Sequence, residues 1–177
     1  MGIMVEEKPA ISSSFRVASV AVLAAVTTVL TLLVRMPLPG RGYFNLSDTA
    51  IVFTAIVLGP FSAALSGGLG TALADLIGGY AIWAPISLVV HGVEGLLVGL
   101  IVSTRRGNVL VQILGGVVGA AAMVAGYFVA GIFIEGTGTS LAEVPGNLVQ
   151  GAAGVLLGIL VAAAVLRAYP PVRQWKW

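Results

Sequence analysis

The chain has 177 residues, of which 58% are hydrophobic and only 9% charged, with a mean hydropathy of +1.06 and a net charge of +2. Soluble domains carry about 25% charged residues, so the composition excludes a soluble globule and describes an integral membrane protein. The weak, dispersed charge excludes nucleic acid as a partner, and the absence of cysteine excludes disulfides, thiol nucleophiles and thiolate metal sites.

Residues 1–14 are polar and are read as a cytoplasmic N-terminal segment. Met1-Gly2 opens like a myristoylation site, but Glu6 stands where Ser or Thr is required. The apolar run from Phe15 to Val34 is long enough to span a bilayer and has no small-residue cleavage site after it, so it reads as a retained helix. Further apolar runs at 47–59, 61–79, 83–104, 109–134 and 146–168 complete a predicted all-α, six-helix membrane domain over 15–168, with a tail at 169–177. The second run is short. Gly59-Pro60 parts it from the third by a tight turn, since proline cannot continue a helix without losing a hydrogen bond.

Six spans place Lys8, Arg16, Arg105, Arg106, Arg167, Arg173 and Lys176 on the cytoplasmic side and only Arg35 and Arg41 outside. That bias obeys the positive-inside rule and puts both termini in the cytoplasm of a cell-membrane protein. Five spans would erase it. Trp83, Trp175 and Trp177 fit interfacial anchoring.

In this topology Asp48 and Asp75 fall at the external face, and His91 and Glu94 lie about 9 and 14 Å below Pro85 at the mouth of span four. Asn147 and Gln150 follow Pro145 in the first turn of span six, and Tyr127 sits in the outer half of span five. Gly95 to Val102 and Gly151 to Val165 carry no polar side chain. A channel or proton relay needs polar groups through both leaflets; this pattern describes a cup, open outside and sealed below. His91/Glu94 and Asn147/Gln150 are i,i+3 pairs that each share a helix face. Amides, carboxylates, an imidazole, Tyr and Trp together suit a small polar aromatic ligand. The loop Met36 to Asn45, with Tyr43 and Phe44, reads either as a lid whose aromatics pack on a bound ligand or as an interfacial aromatic belt.

Each of these residues also has a plainer structural role. His91/Glu94 can hydrogen-bond between helices, Asn147/Gln150 can cap or join helices, and Asp48 and Asp75 can cap or anchor loops. One His and one Glu leave too few ligands for a metal. Gly67-Gly68-Leu69-Gly70 lacks the lysine and strand of a phosphate loop. A membrane enzyme using Glu94 or Asp75 is a rival reading, but no hydrolase elbow, zinc helix or paired-aspartate box is present. A self-sufficient carrier is the other rival; the apolar inner half and the lack of an internal repeat speak against it.

The segments Gly42-Tyr43-Phe44-Asn45-Leu46-Ser47-Asp48, Leu58-Gly59-Pro60, Ala72-Leu73-Ala74-Asp75-Leu76-Ile77-Gly78-Gly79-Tyr80, His91-Gly92-Val93-Glu94-Gly95 and Pro145-Gly146-Asn147-Leu148-Val149-Gln150-Gly151 resemble the S components of energy-coupling-factor (ECF) vitamin transporters. The nearest branch is the one with riboflavin and hydroxymethylpyrimidine members. The resemblance covers about residues 15–168. It implies a non-enzymatic subunit, without cofactor, that binds a vitamin or precursor near the external face and works with a scaffold membrane subunit and two ATPases. Carried over by residue, the substrate contacts are Asn45, Tyr80, Trp83, His91, Glu94, Tyr127, Asn147 and Gln150. Ala21 and Ala25 match the family's Ala-x-x-x-Ala motif for docking the scaffold. Ser47 stands where relatives commonly have glycine, and His91 where they have lysine. The implied cycle is capture, loop closure, docking through helix one, and release by reorientation driven by partner ATP hydrolysis.

Overall fold

The computed structural model describes residues 12–38, 40 and 42–175. The expectations for Lys8, Arg41, Lys176 and Trp177 lie outside the described residues. Six helices are present: α1 (Ser13–Leu33), α2 (Ser47–Val57), α3 (Pro60–Gly78), α4 (Ala84–Thr104), α5 (Val109–Ile134) and α6 (Thr137–Ala168). A two-stranded antiparallel hairpin, β1 (Met36–Pro37) with β2 (Tyr43–Phe44), joins α1 to α2, and a 3₁₀ turn (Pro170–Gln174) follows α6.

Local chemistry sets most boundaries. The Ser12 hydroxyl accepts from Phe15 N at 3.2 Å and opens α1; the Asn108 side chain accepts from Leu110 N and Val111 N and opens α5. Between α2 and α3, Gly59 adopts φ 104°, which the absence of a Cβ permits, and Pro60 occupies the first turn, where its missing N–H costs nothing.

Five helices are long and apolar enough to cross a membrane; α2 is not. Its 11 residues extend about 16 Å against a hydrocarbon core of about 30 Å. After the hairpin, Asn45 and a bend at Leu46 (φ −110°, ψ 19°) lead into α2, which begins inside the bundle. Asp48 is therefore buried, at 1% exposure, and packs against Gly154 of α6 rather than standing at the external face as its position in the sequence suggests.

A second correction concerns α6. It starts at Thr137, nine residues before the expected 146, and carries Pro145 in its interior. Asn147 and Gln150 consequently lie in its third and fourth turns, too deep to cap it. Trp83 is also displaced from the expected interfacial role: it is 6% exposed and packs inside the bundle against Tyr127, ring centroids 5.9 Å apart.

Small residues bring the helices together where lipid supplies no hydrophobic drive. A Cβ on Gly95 of α4 would stand 2.6 Å from the Ala63 carbonyl oxygen of α3. At the end where α2 meets α3, Val52, Ile56, Val98, Val102, Ala162 and Val172 form a dry core. Outward-facing Val22, Val26, Leu110, Leu114, Phe133, Leu156 and Leu160 are exposed and give the bundle an apolar coat.

Candidate functional site

At the opposite end, beneath the hairpin, the helices surround a cavity of about 50 Å³. Seven of the eight residues expected to contact substrate line it: Asn45, Tyr80, Trp83, His91, Tyr127, Asn147 and Gln150. Glu94 does not. It lies beneath His91, 1% exposed, with its Oε2 2.7 Å from His91 Nδ1.

The walls follow from helix periodicity. Thr71 and Asp75 share a face of α3, Ser87 and His91 a face of α4, and Glu143, Asn147 and Gln150 a face of α6, each series at i,i+4 or i,i+4,i+7 spacing; all of them line the cavity. Sequence reasoning placed Asp75 at the outer face as a cap or loop anchor and passed over Thr31, Thr71, Ser87 and Glu143. The spacing of Glu143 from Asn147 was the available signal, but it is visible only if the helix continues through Pro145.

Asp75 is the hub of the wall. Its Oδ1 accepts from the Tyr43 hydroxyl at 2.8 Å and its Oδ2 from the Ser87 hydroxyl at 2.5 Å, while Ser87 Oγ and the Tyr127 hydroxyl oxygen are 2.6 Å apart. Burial, reinforced by the neighbouring Asp75 carboxylate, pushes the Tyr43 phenol above its ordinary range, so Tyr43 remains a hydrogen-bond donor. On the other side, Gln150 Oε1 accepts from both the backbone N–H (2.9 Å) and side-chain amide (3.1 Å) of Asn45. Asn45 Oδ1 then accepts from Ser47 N at 2.8 Å, which fixes the start of α2.

The hairpin forms the roof. Gly42 N donates to Glu143 Oε1 at 2.8 Å, tying the roof to α6, and Tyr43 ties it to α3 through Asp75. Tyr43 packs against Tyr80 with the rings tilted by 56° and centroids 4.9 Å apart, and the Arg35 guanidinium lies over both rings at 5.1 and 5.8 Å. The expected lid is thus an ordered two-stranded cover with polar ties to two helices. A cavity of about 150 Å³ holds a benzene ring, so admitting a substituted ring into this smaller space requires the cover or the side chains under it to shift.

Among the described residues the lining contains no lysine or arginine, while Asp75 and Glu143 both face the cavity. Trp83 Nε1 is buried and has no hydrogen-bond partner. Tyr80, Trp83 and Tyr127 supply aromatic faces, and the His91 ring meets Tyr127 edge-on at 5.5 Å. The site therefore offers stacking surfaces, several hydrogen-bond acceptors and one unused indole donor. Ala21 and Ala25 are exposed in the middle of α1, on the flank of the strip formed by its buried residues Ala24, Thr27, Thr28 and Thr31.

A multi-pass helical bundle with a closed polar cup at one end and a dry core at the other defines a membrane receptor for a small solute. Comparison with known proteins names the kind. The profile of the family described as "ECF-type riboflavin transporter, S component" matches residues 12–167. An uncharacterised protein from the gap 3′ region of Pyrococcus woesei is 40% identical over 134 residues, covering 74% of this chain and 88% of its own. The thiamine precursor transporter HmpT of Lactococcus lactis subsp. cremoris is 32% identical over 151 residues, covering 83% and 85%. A solved bacterial ECF transporter S component shares the fold, with a TM-score of 0.74 at 17% identity over 89% of this chain and 98% of that one. The chain belongs to the ECF S-component family. It is a multi-pass, substrate-binding subunit of an ECF-type transporter and not an enzyme.

Proposed function

We propose that this S component captures a small planar nitrogen heterocycle of the vitamin or vitamin-precursor class, neutral or cationic, with an aminopyrimidine such as hydroxymethylpyrimidine favoured over riboflavin. The observation that carries this reading is the lining: three aromatic faces and the Asp75 and Glu143 carboxylates, with no lysine or arginine among the described residues. Ring amines pair with the Asp75 carboxylate, whereas a phosphate or carboxylate on the ligand meets two lining carboxylates and no lining cation among the described residues. The HmpT relative is a thiamine precursor transporter, which agrees with this choice.

In this reading Tyr80, Trp83 and Tyr127 stack on the ring, and Asn45, His91, Asn147 and Gln150 fix its edge. Glu94 acts through His91 as a positioning residue. The hairpin closes over the bound ligand. Ala21 and Ala25 form the face of α1 that docks a scaffold membrane subunit, itself joined to two ATPases, and release follows reorientation powered by their ATP hydrolysis. Six crossings with both termini cytoplasmic complete the arrangement; α2 and the hairpin segment before it together make the second crossing.

Thermal unfolding of the purified chain against riboflavin, hydroxymethylpyrimidine, thiamin, pyridoxine and thiamin monophosphate tests the substrate assignment. A ligand that binds only the folded protein at 100 times its Kd stabilises it by about 2.7 kcal/mol. The expected result is a concentration-dependent shift with hydroxymethylpyrimidine and none with the phosphate ester; a shift with riboflavin alone overturns the aminopyrimidine assignment. For the docking face, Ala25→Trp is expected to keep ligand affinity and abolish uptake in the assembled transporter. Normal uptake would remove α1 from the interface.

A further inference from the structure

At the floor of the cup, where His91 meets the cavity, the fold assembles a buried acidic group around that imidazole. Asp48 comes from α2, and His91 and Glu94 from α4. Each is 1% exposed, and one donor atom from each lies within 4.8 Å of the other two. His91 Nδ1 is 2.7 Å from Glu94 Oε2 and 3.8 Å from Asp48 Oδ1. The sequence places only two of these residues together; the short, deeply seated α2 brings the third.

Two features point to a bound ion. Neither Asp48 oxygen has a partner at full hydrogen-bonding geometry, although both are buried, one faces the imidazole, and the Glu94 and Gln150 side chains lie beside them. Among the described residues, the only ion pairs made by these two carboxylates are with His91; no lysine or arginine joins them. Two carboxylates buried without a matching cation are costly. A dication with two carboxylates and a neutral imidazole has no net charge.

We propose that Asp48, His91 and Glu94 form a binding site for a divalent first-row transition metal, with zinc as the representative ion. The donor set is one nitrogen and two or more oxygens without sulfur, which suits Zn²⁺, Co²⁺, Fe²⁺ or Mn²⁺. It supplies too few oxygens for Ca²⁺ and too little solvent for Mg²⁺. Zinc–ligand bonds of about 2.0–2.1 Å at tetrahedral angles separate neighbouring donors by about 3.3 Å. The two observed N···O separations bracket that value, so filling the site needs only a slight parting of His91 from Glu94 and an approach of Asp48. His91 also lines the cavity, which gives the ion its route in from the cup and leaves the fourth coordination position on the cup side.

The test uses tag-free, full-length protein in detergent, stripped with a chelator and titrated with Zn²⁺ and with Co²⁺. His91 is the only histidine in the chain, so an imidazole signature at the metal can come from no other residue. One equivalent is expected to bind, with an X-ray absorption spectrum of one imidazole nitrogen and two or more oxygens at about 2.0–2.1 Å. Asp48→Asn and Glu94→Gln, which keep side-chain shape, are each expected to weaken binding at least tenfold. Failure of the stripped wild type to bind one equivalent overturns the site, as does a spectrum without imidazole. Unchanged affinity in both variants does the same. The wild-type spectrum decides the matter even if a variant does not fold, and none of these readouts depends on which vitamin the cup takes.

Discussion

The two halves of this bundle use polar side chains in opposite ways. In the half beneath the hairpin, hydrogen bonds run between elements distant in sequence: Asn45 to Gln150, Tyr43 to Asp75, and Gly42 to Glu143. In the other half the hydroxyls that form hydrogen bonds turn back on their own helices. Thr54 donates to Ala50 O, Ser66 to Ser62 O and Ser103 to Gly99 O. Such i−4 bonds satisfy the hydroxyl without offering anything to a neighbour. Between these helices lie Val52, Ile56, Val98 and Val102. The difference teaches that polarity in a membrane bundle marks a site only when it is shared across elements. A binding cup over a dry plug is the architecture of a capture subunit, because a solute held in the first half meets no polar path through the second.

That contrast can be broken at graded cost. Trp83→Ala removes a stacking face and the unused indole donor together, and is expected to weaken ligand binding by about 2–3 kcal/mol, roughly 30- to 150-fold; calorimetric titration would detect it, and an unchanged Kd would empty the cup of its aromatic wall. Gln150→Ala deprives the buried Asn45 amides of their acceptor. Leaving buried donors unsatisfied costs about 1–3 kcal/mol, so a lower unfolding temperature should accompany about tenfold weaker binding. Ser62→Ala, in the plug, removes a buried hydroxyl that has no hydrogen-bond partner. It should leave affinity unchanged and stability within about 0.5 kcal/mol of the wild type or slightly above it. A clear loss of binding there would show that the two halves are not independent.

Much of this division is legible in the sequence, since proline, glycine and capping residues mark the helices and the inner runs of spans four and six lack polar side chains. Three parts were not legible, each for a physical reason. Helical rise counted from Ser47 puts Asp48 at the surface, but the chain turns inward at Asn45 and the Leu46 bend, and α2 begins inside the bundle. Pro145 reads as a helix start, yet α6 carries it internally, which membrane helices tolerate when neighbouring groups satisfy the freed carbonyl. That misplaced start hid Glu143, one turn before Asn147 on the same face. Trp83 at a helix mouth reads as a membrane anchor because composition cannot tell an outward ring from one turned into the bundle, where it meets Tyr127.

The absence of native cysteine makes the central claim directly testable with single substitutions. Ser87→Cys, in the wall of the cup, and Ser62→Cys, in the plug, can be exposed in intact cells to a small charged thiosulfonate reagent added from outside. The expected result is labelling of Ser87→Cys that slows when the ligand is present, and no labelling of Ser62→Cys under either condition. Labelling of Ser62→Cys from outside, or of Ser87→Cys only from the cytoplasmic side, would contradict an outward-facing cup sealed beneath.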